Sequence, residues 1–219
     1  MLNMFLAVLP TVLITVYILW FDRFNREPLS LLIKLFIIGC LSVIPAIFLE
    51  NLLPSTDQIY TVIGVLLYSV LGIGLIEEGV KFVSTKVVAY QDKAFDEIYD
   101  GIIYCVMVSL GLATVENILY VSAYGTSTAL LRAVTAVPAH TIFAVTMGYY
   151  LGLSKAYPNK RAIYQVLALV FPIILHGLYD FIIFMAFDWG MLVFIVYGLY
   201  LYGKAFKLIK ITHYIPPFR

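Results

Sequence analysis

The sequence predicts an all-α fold, a polytopic bundle of about seven transmembrane helices, and three observations predict it. Hydrophobic residues make up 63% of the chain and charged residues only 12%, far outside the balance of soluble domains. Mean hydropathy is +0.97. The apolar residues gather into stretches at about 2–21, 31–50, 62–89, 101–121, 130–152, 163–187 and 190–209, each near the roughly 20 residues that cross a hydrocarbon core. Together they take up most of the 219 residues. No stretch remains for a soluble domain, so residues 1–219 are expected to form one integral membrane domain.

The first stretch is too long for a signal-peptide core and has neither a basic leader nor a small-residue cleavage site, so it reads as a retained span. Pro10, Pro45, Pro138 and Pro172 fall within spans, where a bundle can satisfy the carbonyls that proline frees, and each is a place for a bend. Cys40 and Cys105 lie in apolar runs and read as small packing residues, not as a disulfide or a thiolate metal site. The third stretch is the longest and carries Glu77, Glu78, Lys81 and Lys86. A crossing that starts near Leu66, and not at Tyr60, puts Glu77 at mid-membrane, because each helical residue rises about 1.5 Å.

Charge placement orients the bundle, since cytoplasmic loops carry the excess of Lys and Arg. Arg23 and Arg26 follow the first span, Lys86 and Lys93 the third, Lys155, Lys160 and Arg161 the fifth, and Lys204, Lys207, Lys210 and Arg219 lie at or after the end of the seventh. The loops 51–61, 122–129 and 188–189 hold no Lys or Arg. The N-terminus is therefore expected outside and the C-terminus in the cytoplasm. Arg132 stands apart near the outer end of the fifth span, where it is expected to snorkel to the interface. A net charge of +1 carries no nucleic-acid signature. No internal repeat or matched pair of broken helices points to a transporter.

Against this background a few polar residues stand out. Glu77 and Glu78 lie in GIGLIEEGVKF, Glu116 in GLATVENILY, His140 in AVPAHTIFAV, and His176 with Asp180 in IILHGLYDFI. Ionisable groups at such depth are costly and mark function or a polar network. Glu77 and Lys81 are four residues apart and share a helix face, as do His176 with Asp180 and Glu116 with Tyr120. Taken singly, Asn117 and Tyr120 read equally as helix-to-helix hydrogen bonds.

Two histidines with one or more glutamates are the ligand types of a catalytic zinc site, and a further glutamate can take the proton from its water. His140, His176 and Glu78 are the expected ligands, with Glu116 as an alternative. A metal-free version is open as well, in which a buried carboxylate and a histidine activate water. No HExxH or GxSxG occurs, so neither a zincin nor a serine hydrolase elbow is indicated.

These segments carry a resemblance. EEGVK at 77–81, ENILY at 116–120, PAH at 138–140 and HGLYD at 176–180, in this order on successive spans, resemble the motifs of the PrsW family of intramembrane proteases. DEIYDGIIY at 96–104 is similar too, so the likeness runs from about Leu71 to Phe184. It implies a protease of the cell membrane that cuts a single-span membrane protein. In firmicutes such proteins are associated with the first cleavage of a membrane-anchored anti-sigma factor under envelope stress. The motif order is also similar, more distantly, to CAAX prenyl proteases and bacteriocin-immunity-type membrane proteases. On that likeness Glu77, Glu78, His140 and His176 are the catalytic set, with Lys81, Glu116, Asn117, Tyr120 and Asp180 in support. Lys81 stands where CAAX-type enzymes carry an Arg at a longer spacing, and Asp180 where an Asn occurs there, which favours the PrsW branch. A CAAX-type prenyl-protein endopeptidase, a proton- or cation-coupled transporter and a non-catalytic scaffold are the alternative readings.

Overall fold

A computed structural model describes residues 2–22, 26–55, 58–185 and 190–212. Among them every regular element is helical: α1 (Leu2–Phe21), α2 (Leu29–Glu50), α3 (Val62–Leu67), a π-helix (Tyr68–Gly74), α4 (Leu75–Val88), α5 (Ile98–Tyr124), α6 (Thr126–Val134), α7 (Ala136–Ala156), α8 (Arg161–Met185) and α9 (Gly190–Thr212). Seven helical runs are long and apolar enough to cross a membrane, on the expected stretches. Arg23, Arg219 and the 188–189 loop, which the charge pattern uses, lie outside the described residues.

α5 is the axle of the bundle. Of its membrane window 78% is buried, against 17% for α9 at the rim. It packs on α7, α2 and α1, and glycines make the approaches close. A Cβ on Gly101 would stand 2.4 Å from the Gly148 carbonyl oxygen of α7, and one on Gly111 would stand 2.2 Å from the Phe36 oxygen of α2. Small residues at such crossings let backbones touch, which is how helices associate where no hydrophobic drive separates them from lipid.

The DEIYDGIIY stretch serves the N-terminal end of α5. Asp100 accepts from the backbone N–H of Asp96 and Glu97 at 2.9 and 2.6 Å, closing a capping box with Glu97 that satisfies otherwise orphaned donors. Tyr104 donates to Glu27 in the α1–α2 link. These carboxylates lie at the opposite end of α5 from Glu116.

Two spans are interrupted, and both interruptions lie beside the polar residues. The third span runs from Val62 to Val88, on the expected stretch, and turns through the π-helix before it reaches Glu77. The fifth span breaks at Thr135 between α6 and α7. Pro138 therefore falls in the first turn of α7, where its missing N–H costs no helical hydrogen bond.

Candidate active site

The first turn of α4 supplies Glu77 and Glu78, and the next turn Lys81. All three are buried. Lys81 Nζ lies 2.6 Å from Glu78 Oε1 and 3.3 Å from Glu77 Oε2, so one ammonium holds two carboxylates that would otherwise repel each other. Helical spacing puts Lys81 on the face of Glu77. In the fold the closer partner is Glu78, reached at three residues' separation, which is as neighbourly on a helix as four.

α7 and α8 bring the two histidines to this turn. His176 Nδ1 is 2.9 Å from Glu78 Oε1 and His140 Nδ1 is 3.0 Å from Lys81 Nζ. Their rings stand 5.3 Å apart at 84°. Phe143, one turn along α7, stacks on His176 at 4.9 Å and is an apolar wall that no motif marks. Ser109 of α5 donates to the His140 backbone oxygen at 2.9 Å, tying the start of α7 to the axle.

α8 can come this close because of glycine. A Cβ on Gly177 would lie 2.5 Å from Val70 Cα in the π-helix, and one on Gly74 would lie 2.9 Å from the Ile173 carbonyl oxygen. The G of HGLYD is thus the contact that seats His176 over α4.

The remaining predicted residues divide by position. Asp180 Oδ2 lies 3.5 Å from His176 Nε2, as helical spacing suggests. Glu116 Oε2 approaches His140 Nε2 to 3.2 Å from the α5 side. Asn117 donates to the Ala7 carbonyl oxygen of α1 at 2.8 Å. Tyr120 lies under the Arg132 guanidinium at 4.1 Å, largely exposed. Arg132 itself was expected to snorkel outward, but it folds back onto Glu116 and Asn117 at 3.3 and 2.8 Å. Its signal in the sequence was a cation next to a loop, 122–129, that has none, one span after a glutamate in an apolar run.

Glu77, Glu78, His140 and His176 each offer a ligand atom, and these atoms lie within 4.8 Å of one another. Two imidazoles and two carboxylates make the nitrogen and oxygen donor set of a catalytic metal ion with an open position. Glu77 Oε2, Glu78 Oε2 and Asp180 Oδ2 are buried without a hydrogen-bond partner, as oxygens awaiting a cation or a water would be. The residues fit such an ion. Glu116 is not among the four, although it touches one of them.

Comparison with known proteins settles the family. PrsW family intramembrane metalloproteases match over residues 27–205. The chain belongs to the PrsW family. Protease PrsW of Clostridioides difficile (strain 630) is 39% identical over 203 residues, covering 90% of this chain and 85% of that relative. Protease PrsW of Geobacillus kaustophilus (strain HTA426) is 37% identical over 184 residues, 84% of this chain and 80% of the relative. That of Bacillus subtilis (strain 168) is 35% identical over 194 residues, with 87% and 88% covered. No solved structure matches the chain. With its seven apolar helices, this PrsW family member is a multi-pass peptidase of the cell membrane.

Proposed function

We propose that this chain is an intramembrane endopeptidase that cuts a single-span membrane protein, with Glu77 as the group that takes a proton from the attacking water. The observation that carries this reading is the difference between the adjacent carboxylates. Glu78 is fully buried, and its Oε1 accepts from both Lys81 and His176. Glu77 has looser contacts, with Lys81 Nζ at 3.3 Å, His140 Nδ1 at 3.8 Å and His176 Nε2 at 4.0 Å. A base must keep an oxygen free for the proton it takes. Glu77 keeps one.

Zinc is the ion we assign to the group, held by His140, His176 and Glu78. When bound it would polarise the scissile carbonyl and acidify the water. The chain's own residues do the rest: Lys81 draws the paired carboxylates onto one ammonium, Asp180 and Phe143 hold the His176 ring, and the surrounding spans exclude bulk water. The substrate that best suits the family resemblance is a membrane-anchored anti-sigma factor cut in an envelope-stress response. The alternation of basic loops supports an external N-terminus and a cytoplasmic C-terminus.

The test is cleavage of a single-span substrate by purified protein in detergent. Removing a general base costs about 10²–10⁴-fold in rate, and Glu77→Gln should show that loss with its melting temperature unchanged. Glu78→Gln should lose activity and stability together. Undiminished cleavage by Glu77→Gln would remove Glu77 from the role of base.

A further inference from the structure

At the outer end of the site Glu116 stands between two cationic or protonated partners. Its Oε2 is 3.3 Å from Arg132 Nη2 and 3.2 Å from His140 Nε2. Arg132 is held from three sides: Nη2 on Glu116, Nε on Asn117 Oδ1 at 2.8 Å, and its plane on the Tyr120 ring at 4.1 Å. Asn117 in turn bonds to the Ala7 oxygen, so α1, α5 and α6 all share in placing one carboxylate beside one imidazole.

The other face of that imidazole meets Lys81 Nζ, 3.0 Å from Nδ1. An ammonium can only donate, so Nδ1 accepts and the ring proton sits on Nε2. A carboxylate next to Nε2 favours the same tautomer. Both neighbours therefore turn the Nδ1 lone pair towards Glu77 and Lys81 on α4. A histidine that offers one nitrogen inward while a carboxylate steadies the other is the arrangement by which outer groups orient a metal ligand.

We propose that Arg132 is a positioning residue that acts through Glu116 to hold His140 as the Nε2–H tautomer, with Nδ1 presented to the α4 carboxylates. Arg132 touches none of the four clustered residues. Its effect travels by one relay, and without the guanidinium the Glu116 carboxylate is free to turn towards solvent. The kinetic part of this inference rests on the peptidase reading; the tautomer does not.

The experiment uses full-length protein in detergent, with ring nitrogens labelled by ¹⁵N-histidine and His140 assigned by the signal that His140→Asn removes. In metal-free parent protein the His140 ring should report a proton on Nε2. Arg132→Gln should give mixed tautomers, about 10–100-fold weaker zinc affinity in competition with a chelator, and a fall in kcat with KM little changed. Arg132→Lys should recover most of each. Because Arg132 acts through Glu116, the Glu116→Gln/Arg132→Gln double variant should lose no more than Glu116→Gln alone. Melting temperature separates a folding defect from a positioning one. An Arg132→Gln protein with the parent His140 spectrum and zinc affinity would overturn the proposal, and so would losses that add in the double variant. If the parent itself neither binds zinc nor cleaves, the peptidase reading fails while the nitrogen spectra still decide the role of Arg132.

Discussion

Lys81 Nζ lies 2.6 Å from Glu78 Oε1, the oxygen on which His176 Nδ1 also converges at 2.9 Å. Lysine and glutamate are both fully enclosed, at 1% and 0% exposure. A cation from α4 therefore sits among the donors that a metal ion would use, and the ammonium and the ion draw on the same atoms. In the ion-free protein Lys81 is the positive charge that makes two adjacent buried carboxylates tolerable.

Replacing Lys81 by Met should therefore destabilise the ion-free protein, since leaving one member of a buried ion pair alone costs about 3–5 kcal/mol. Zinc should raise the melting temperature of Lys81→Met more than that of the parent, because in the variant the ion alone neutralises Glu77 and Glu78. Thermal unfolding with and without zinc measures both effects. A Lys81→Met protein as stable as the parent without metal would show that the carboxylates do not depend on this charge.

The fold was largely legible in the sequence because lipid imposes one rule on every span, and length with apolarity states it. Glu77, Glu78, His140 and His176 were legible for the opposite reason, as ionisable residues in apolar surroundings. What escaped were distances. Nothing in HGLYD says that Gly177 lies against Val70, since only the path of α8 across the π-helix makes a missing Cβ matter. Arg132 was read by its depth, which suits snorkelling, and its inward turn depends on Glu116 and Tyr120 from another span. The π-helix left no periodic signal either, since its wider turn spans only Tyr68–Gly74.

Gly177→Val tests whether the close approach of α8 seats the site. A Cβ there would meet Val70 Cα and Cγ2 at 2.5 Å, and overpacking of this kind costs about 1–3 kcal/mol. The bundle should survive this in the membrane. His176, however, moves away from Glu78, so cleavage and zinc binding should fall much further than melting temperature does. Gly198→Val, on α9 with open space around its Cβ position, is the control and should match the parent. Equal behaviour of the two variants in zinc binding would mean that the α8 contact does not position His176.

The topology that the charge pattern predicts can be read with fusions. The link between α7 and α8 carries Lys160, flanked by Lys155 at the end of α7 and Arg161 at the start of α8, while the one between α5 and α6 has no basic residue. A reporter active only outside the membrane should be silent when fused after Lys160 and active when fused at Gly125. The reverse pattern would invert the bundle and place the Glu116 end of the site in the cytoplasm.

The link between α1 and α2 should make stability depend on pH. Burial pushes the Asp22 carboxyl up to about 6 from 3.8, while the Glu27 amide that it accepts holds it back. Burial also raises Glu27, although Tyr104 donates to it, with the carboxylates of Asp22 and Asp96 adding to the rise. A carboxyl whose pKa is higher folded than unfolded gives the native state the extra proton between the two values, so stability falls as pH rises through that window. For Asp22 the window runs from 3.8 to about 6, and Glu27 extends it upward. Melting temperature should thus decline between about pH 5 and pH 7. Asp22→Asn and Glu27→Gln, which need no proton to be neutral, should flatten that decline and raise the melting temperature at the upper end. A parent profile that is flat, or that rises over this range, would show that these carboxyls ionise in the fold without cost.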